Sequence, residues 1–274
     1  MTVREALRAA RRELEGARVP SPQLTAEILL CHLLERERAW LFAHPEAELS
    51  AEQERAYAER LRRRMAGEPT QYITGVQEFY GRVFRVTPDV LIPRPETEFV
   101  VEAALEAGPA ETIVDVGSGS GAIAVTLALE TEARVIATDV SRAALRVAVD
   151  NARRLGARVE FVACDLLSAI ASGVADMVVS NPPYVPDADL AGLPREVREH
   201  EPGVALEGGA RGLDFYRRLI EEAPRVLRPG GRLIVELGIR QMGAVEEMAR
   251  RQWETVRKWN DLAGLPRVLA LRLR

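Results

Sequence analysis

The segment from Thr112 to Gly121 reads TIVDVGSGSG, and it decides the fold. A short β-branched run, typical of a buried strand, leads directly into three glycines at alternate positions. Helix-like residues 121–130 follow, so the order is strand, glycine turn and helix. Glycines let the backbone turn tightly and let a ligand approach the main chain closely. The stretch therefore predicts the first strand and helix of a ligand-binding sheet.

The same alternation of strands and helices continues downstream. Strands are predicted at 134–139, 159–163, 176–181 and 232–237, and helices at 141–155, 214–228 and 241–252. This order indicates an α/β fold with a doubly wound, mostly parallel sheet. Ligands of such sheets bind outside the carboxyl ends of the strands, so the residues that end each strand are the candidate site residues.

The first 67 residues predict a small helical bundle instead. Thr2 with Glu5, and Ser50 with Gln53, have the spacing of a capping box at a helix start. A basic run, Arg60–Arg64, lies in the last of these helices. Residues 1–67 hold 12 Arg and 11 Glu, so the region is nearly neutral. We interpret the run as a solvated helix face rather than as a basic patch for RNA.

Composition narrows the class of protein. Of the 274 residues, 47% are hydrophobic and 28% charged, as in an ordinary globular chain. No apolar run reaches the ~18 residues of a membrane helix, and the charged segment 1–16 does not resemble a secretory signal. The two cysteines form no disulfide framework, and the three histidines are isolated, so we expect a cytoplasmic protein without a metal site. A net charge of −4 argues against direct nucleic acid binding.

Three strand ends carry candidate cofactor residues. The glycine loop ends the first strand, and Asp139 ends the second, 18 residues after Gly121. A carboxylate at that place accepts hydrogen bonds from ribose hydroxyls. NAD and S-adenosylmethionine both contain this ribose, so Asp139 does not separate them. After the third strand, Asp165 is a candidate acceptor for an adenine amine, and Leu166 is a candidate to pack on the ring.

The fourth strand ends in the motif Asn181-Pro182-Pro183-Tyr184. Asn-Pro is also a common turn signal, but this turn is predicted to face the glycine loop. The prolines fix φ and restrict the residues before them, so nearby carbonyl groups point in set directions. Asn181 Oδ1 and the Pro182 carbonyl then form a row of acceptors, with Tyr184 as a flat face. Such a site suits a planar NH₂ group.

These motifs resemble those of known enzymes. NPPY with a DxGxGxG loop resembles the amino-methyltransferases that use S-adenosylmethionine and modify adenine N6, cytosine N4 or a glutamine amide. The segments GEPTQYITG (67–75), LIPRPETE (91–98) and DLAG (261–264), together with 201–202 and 212–216, resemble the release factor glutamine methyltransferases of the HemK/PrmC type. The resemblance covers essentially the whole chain. One departure is Leu166, where some members have an aromatic ring.

The resemblance implies methyl transfer from S-adenosylmethionine to glutamine N5 in the Gly-Gly-Gln motif of class I peptide chain release factors. It implies a seven-stranded Rossmann-like methyltransferase domain over 93–274, a helical substrate-recognition domain over 1–75, and a hairpin and linker over 76–92. With Asp165, the expected cofactor contacts are Gly117, Ser118, Gly119, Ser120, Gly121, Asp139, Leu166 and Asn181. The expected glutamine contacts are Asn181, Pro182, Pro183 and Tyr184, with Asn181, Pro182 and Tyr184 catalytic.

Several alternatives stay open on sequence grounds. The nearest is a DNA or RNA amino-methyltransferase, which shares the chemistry of the site. An NAD-dependent oxidoreductase accounts for the glycine loop but gives no role to NPPY, and a non-catalytic binding module would not need that motif intact. Arg94, Glu96 and Glu98 would either close the cofactor pocket or pin the joint between domains. Glu236, at the end of the fifth strand, would either orient a site residue or cap a helix. Preference among release factors and oligomeric state are left undetermined.

Overall fold

The chain forms two compact units, as seen in a computed structural model that describes residues 1–261 and 263–274. One unit comprises Met1–Val76 with Pro194–His200, and is called the helical unit below. The other comprises Gln77–Leu193 with Glu201–Arg274, and is called the sheet unit. Leu262, part of the DLAG segment, lies outside the described residues. No helix among the described residues is long and apolar enough to cross a membrane.

The helical unit begins with five helices. These are α1 (Val3–Gly16), α2 (Pro22–Leu34), α3 (Arg38–Ala43), α4 (Ala51–Met65) and α5 (Thr70–Thr74). Both predicted capping boxes are present, at Thr2 with Glu5 and at Ser50 with Gln53, which explains where α1 and α4 start. Apolar side chains of α1, α2 and α4 meet in one core that includes Leu14, Leu29 and Tyr57.

The interpretation of Arg60–Arg64 as a solvated face is wrong for Arg64. This side chain is buried, with 5% of its surface exposed. Its guanidinium donates to the Glu196 carboxylate and, at 3.1 Å, to the backbone carbonyl of Glu68. Glu196 is 132 residues away in sequence, so no local charge pattern could identify it as the partner.

The sheet unit contains a two-stranded hairpin and a seven-stranded sheet. The hairpin strands are β1 (Val76–Phe79) and β2 (Arg82–Arg85). The sheet strands are β3 (Thr112–Val116), β4 (Arg134–Asp139), β5 (Val159–Ala163), β6 (Ala175–Ser180), β7 (Leu227–Glu236), β8 (Trp253–Asn260) and β9 (Pro266–Leu273). The strand order is β5-β4-β3-β6-β7-β9-β8, with β9 antiparallel to both neighbours and the other pairs parallel. The predicted seven-stranded, doubly wound fold is confirmed.

Helices cover both faces of this sheet. They are α6 (Glu98–Glu106), α7 (Ala122–Glu130), α8 (Arg142–Leu155), α10 (Asp214–Val226) and α11 (Met242–Ala249), while α9 (Arg195–His200) belongs to the helical unit. Alternate residues of β3 enter opposite cores, since Val114 packs with residues of α10 and Ile113 with residues of α6 and α7. The hairpin adds Phe79 and Phe84 to the second of these cores.

Several predicted boundaries differ from the observed ones. β6 ends at Ser180, so Asn181 lies just beyond the strand. β7 starts at Leu227 instead of 232, because Leu227 already pairs with Ala175. The register shifts before the Met177–Arg232 pair, in the part of β7 that includes Gly230, whose φ is +76°. The last two helices end earlier than predicted, at Val226 and Ala249.

No individual strand is predicted within the last 22 residues, where the structure has β8 and β9. β8 is an edge strand and is exposed along most of its length, so its sequence shows no apolar alternation.

Candidate active site

A cavity of about 340 Å³ opens at the carboxyl ends of β3, β4 and β6 in the sheet unit. The structure brings eight of the predicted site residues to its wall: Gly117, Gly119, Asp139, Asp165, Leu166, Asn181, Pro182 and Pro183. Four others are not among its lining residues: Ser118, Ser120, Gly121 and Tyr184. The two serines belong to the same loop but are buried, at 8% and 3% exposure.

The loop after β3 needs its glycines for their backbone conformation. Gly117, Gly119 and Gly121 have φ of +74°, +54° and +81°, a region that side chains with a Cβ rarely adopt. At Gly121 a Cβ would also lie 3.1 Å from the side chain of Ala148 in α8. The alternating glycines thus let the chain turn from β3 into α7 and pack closely on α8.

Asp139 ties the end of β4 to this loop. One carboxylate oxygen accepts from the backbone N–H of Gly119 at 2.9 Å, and the other accepts from that of Ser141 at 2.8 Å. The carboxylate is half-buried on the cavity wall, between the glycine loop and the start of α8. It therefore orders the loop and presents acceptor oxygens to the cavity at the same place.

The wall after β5 combines a charge pair with apolar surface. Arg218 of α10 donates to Asp165 at 2.9 Å, an ion pair that the sequence did not reveal. Leu166 is 9% exposed and belongs to the core, so it offers little surface to a ligand.

The larger apolar surface of the cavity follows β4 instead. Val140 lines the cavity and is 61% exposed. Its position directly after Asp139 was the only sequence signal available.

The NPPY segment lies at the tip of β6. Ser180 Oγ donates to the Val116 carbonyl at 2.7 Å and fixes the tip against β3. Asn181 Nδ2 donates to Thr97 Oγ1 at 3.0 Å. This bond engages the amide nitrogen and leaves the amide oxygen, Oδ1, available as an acceptor. Pro182 is buried beside it. The Tyr184 hydroxyl donates to Glu236 at 3.3 Å, so this ring is anchored beneath the motif.

Glu236 ends β7 and is 2% exposed. Its carboxylate accepts from the Thr97 hydroxyl at 2.6 Å as well as from Tyr184. Burial raises the pKa of Glu236 to about 7, although the two hydrogen bonds favour the ionised form. Of the two roles left open for Glu236, its hydrogen bonds match the orienting one.

The segment LIPRPETE supplies part of the wall. Arg94 pairs with Glu201 at 2.5 Å, and Glu201, 6% exposed, also accepts from the backbone N–H of Ile92 at 3.3 Å. This pair fastens together two wall segments that are distant in sequence, since Leu91 and Pro202 both line the cavity. Glu98 Oε1 accepts from the backbone N–H of Tyr80 at 2.8 Å and so holds the hairpin.

Comparison with known proteins places the chain in a family. Family models match it as the PrmC N-terminal domain over residues 5–75 and as the methyltransferase small domain over residues 95–192. A release factor glutamine methyltransferase of Koribacter versatilis is 48% identical over 277 residues, 99% of each chain. One of Moorella thermoacetica is 49% identical over 256 residues, 91% of this chain and 90% of its own. The chain belongs to the release factor glutamine methyltransferase family.

The predicted family, enzyme class and cofactor are thereby confirmed: the chain is a methyltransferase that uses S-adenosylmethionine. The fold is shared with a methyltransferase from Pyrococcus furiosus, with a TM-score of 0.54 at 18% identity over 78% of this chain and 98% of the other. It is also shared with a T. thermophilus 16S rRNA N2 G1207 methyltransferase, with a TM-score of 0.51 at 19% identity over 73% and 50%.

The cavity fits the family's cofactor in size and chemistry. Its volume of about 340 Å³ lies in the range of ~300–1,000 Å³ typical of small-molecule sites. Asp139 and Asp165 bring carboxylate acceptors, and Val140 brings an exposed apolar face. A nucleoside needs both features, because it has donor groups at its edges and an apolar ring face.

Proposed function

We propose that this protein methylates the side-chain amide nitrogen, N5, of the glutamine in the Gly-Gly-Gln motif of class I peptide chain release factors. The observation that carries this proposal is the orientation of Asn181 at the cavity wall. Its Nδ2 is engaged by Thr97, and its Oδ1 has no hydrogen-bond partner among the described residues, so Oδ1 is the available acceptor. An acceptor in that place matches a substrate that presents NH₂, and family membership names the substrate class.

The cofactor would occupy the cavity at the carboxyl edge of the sheet. The glycine loop would contact it through backbone groups, including those of Ser118 and Ser120. Asp139 would accept from the ribose hydroxyls, and Asp165 from the adenine amine. Leu166 would pack on the adenine ring as predicted, with Val140 adding the more exposed surface. Asn181 would border both cofactor and substrate.

The residues at the tip of β6 would activate the amide. An amide nitrogen shares its lone pair with the carbonyl and attacks poorly. Asn181 Oδ1 and the Pro182 carbonyl would accept the two N–H groups, orient the nitrogen and raise its electron density, while Pro183 and Tyr184 would shape the slot. Bound S-adenosylmethionine supplies an electrophilic methyl group on a sulfonium.

Two physical effects would then lower the barrier. The two acceptors interact more strongly as positive charge grows on nitrogen, which stabilises the transition state more than the ground state. Holding the amide in line can supply roughly 7–11 kcal/mol. Methylation makes the nitrogen acidic, so its proton can leave without a dedicated strong base.

The helical unit would recognise the release factor beyond the glutamine. It has its own core, and none of the residues that line the cavity belongs to it. Its match to the PrmC N-terminal domain supports a family-specific role. We also propose that the protein works in the cytoplasm, where release factors act, and that it needs no contact with nucleic acid.

A substrate panel tests the proposal. Methyl transfer from labelled S-adenosylmethionine is measured with an intact release factor, with DNA and with RNA, each at the same concentration. The proposal expects label on the release factor alone. Label on DNA or RNA, with none on the release factor, would identify a nucleic acid amino-methyltransferase instead.

A further inference from the structure

Three hydrogen-bonded side chains connect the interior of the sheet unit to the NPPY motif. Glu236 accepts from the Thr97 hydroxyl at 2.6 Å, and Thr97 Oγ1 accepts from Asn181 Nδ2 at 3.0 Å. Glu236 and Thr97 are 2% and 5% exposed, so solvent cannot replace either partner. Thr97 does not line the cavity, whereas Asn181 does. The chain of hydrogen bonds thus runs from a buried carboxylate outward to the substrate side.

The direction of this chain follows from what each group can donate. An ionised carboxylate only accepts, and a threonine hydroxyl has a single proton. The short contact with Glu236 takes that proton, so Thr97 presents lone pairs to Asn181. Asn181 can satisfy them only with its NH₂ group. The oxygen of the same amide is therefore turned the other way.

We propose that Thr97 and Glu236 are positioning residues, which hold the Asn181 amide with its oxygen facing the substrate nitrogen. The inference rests on the proposed role of Asn181. The oxygen and nitrogen of an amide have nearly the same shape, so packing alone does not distinguish the two orientations. In the flipped orientation an N–H group would face the substrate NH₂, and two donors would meet. Thr97 and Glu236 do not touch the substrate; they decide which Asn181 atom does.

The other groups around Glu236 are compatible with this role. Tyr184 donates to its second oxygen at 3.3 Å, and the Tyr216 hydroxyl donates to its backbone carbonyl at 3.0 Å. Two charged side chains act on the carboxylate without a hydrogen bond: Glu96, which opposes its ionisation, and Arg267, which favours it. Arg267 is itself held by Asp261 at 2.8 Å.

Protonation of Glu236 would reverse the direction of these hydrogen bonds. A protonated carboxyl can donate to Thr97, whose own proton is then free to bond the oxygen of Asn181. Since burial raises the pKa of Glu236 to about 7, this change falls within reach of ordinary assays. Methyl transfer should therefore fall as the pH drops through that pKa, with the cofactor still bound.

The test compares Thr97→Val, which removes only the hydroxyl, with Thr97→Ser, which retains it. Single-turnover methylation of an intact release factor is measured at saturating S-adenosylmethionine, with S-adenosylhomocysteine affinity as the measure of an intact fold. Loss of one net hydrogen bond predicts a rate about tenfold lower for Thr97→Val, and a rate near wild type for Thr97→Ser. The matched control is Thr126→Val, at a fully buried threonine whose hydroxyl has no partner in the described part of the chain. It should keep the wild-type rate.

A pH profile separates positioning from a packing role. The wild-type and Thr97→Ser rates should fall below the pKa of Glu236, whereas Glu236→Gln has no ionisable group at this position and should show no such fall. A folded Thr97→Val protein with wild-type rate overturns the inference. Where Thr97→Val does not fold, Thr97→Ala also removes the hydroxyl, and a folded Thr97→Ala protein with wild-type rate overturns the inference in the same way. Asn181→Ala distinguishes failure of the proposed function from failure of the positioning inference. If Asn181→Ala is slow while Thr97→Val is fast, only the positioning inference fails.

Discussion

Two buried charges, Arg64 of the helical unit and Glu236 of the sheet unit, have partners of different kinds. In the helical unit the buried guanidinium of Arg64 meets the carboxylate of Glu196, and the two charges compensate each other. In the sheet unit the buried carboxylate of Glu236 has hydrogen-bond partners without charge, Thr97 and Tyr184. Its hydrogen bonds continue to Asn181 at the cavity wall. The first arrangement stays within the helical unit, whereas the second ends at Asn181 Oδ1, which has no hydrogen-bond partner among the described residues and is the acceptor proposed to meet the substrate.

The largest expected effect comes from removing that acceptor. Asn181→Ala should lower the single-turnover rate of methyl transfer about 10²–10³-fold, or roughly 2.7–4 kcal/mol, by analogy with the loss of one oxyanion-hole donor. The fold should survive, because the side chain lies at a strand tip. Circular dichroism checks the fold. Asn181→Asp keeps an acceptor and should retain partial activity. A folded Asn181→Ala protein with wild-type turnover would mean that NPPY is only a turn and that the acceptors lie elsewhere.

The Arg64–Glu196 pair of the helical unit predicts a change in stability instead. Glu196→Ala leaves Arg64 buried without its partner, which should lower the free energy of unfolding by about 3 kcal/mol. Chemical denaturation measures this loss. The affinity for S-adenosylhomocysteine should be unchanged, because no residue of the helical unit lines the cavity.

The control for Glu196→Ala is Glu59→Ala. Glu59 also pairs with an arginine, Arg62, but both side chains are more than half exposed, at 54% and 68%. An exposed pair contributes little, so the unfolding midpoint of Glu59→Ala should stay at the wild-type value. Equal midpoints for the Glu59 and Glu196 variants would contradict the distinction between buried and exposed pairs.

Cofactor affinity should depend on Asp139 in the sheet unit. Asp139→Ala removes the acceptor of two loop N–H groups and of the expected ribose hydroxyls, which predicts an affinity for S-adenosylhomocysteine about 10–100-fold lower. Calorimetry measures it, with NAD as a ligand expected not to bind. Asp150→Ala is a matched control, since Asp150 makes an exposed pair with Arg85. Tight binding of NAD without binding of S-adenosylhomocysteine would overturn the cofactor assignment at this site.

The strand tips were predictable from sequence, but their supporting contacts were not. The glycine loop, Asp139 and Asn181 follow strands whose apolar runs are short and clear, so topology brings them to one edge. Thr97 and Arg94 lie within the LIPRPETE segment, yet nothing local indicates that Thr97 bonds Asn181, 84 residues later, or that Arg94 bonds Glu201, 107 residues later. Those pairings depend on tertiary packing. Arg64 was misinterpreted for the same reason.

The smallest expected effect concerns the role of the helical unit. Hydrogen exchange of the intact enzyme should slow at exposed amides within residues 1–76 when a release factor is added, and should not change there when S-adenosylhomocysteine is added. The cofactor should instead protect amides of the loop from Gly117 to Gly121. If the release factor slows exchange only at amides within residues 77–193 and 201–274, the helical unit does not recognise the release factor.

The proposed role of the acceptor at the tip of β6 is to direct methyl transfer to one nitrogen of one glutamine. Tandem mass spectrometry of a release factor incubated with S-adenosylmethionine and either wild-type protein or Asn181→Ala tests it most directly. With wild-type protein we expect a single methyl group on the side-chain nitrogen of the Gly-Gly-Gln glutamine. With Asn181→Ala we expect almost none after the same time. A methyl group on another residue, or equal modification by both proteins, would contradict it.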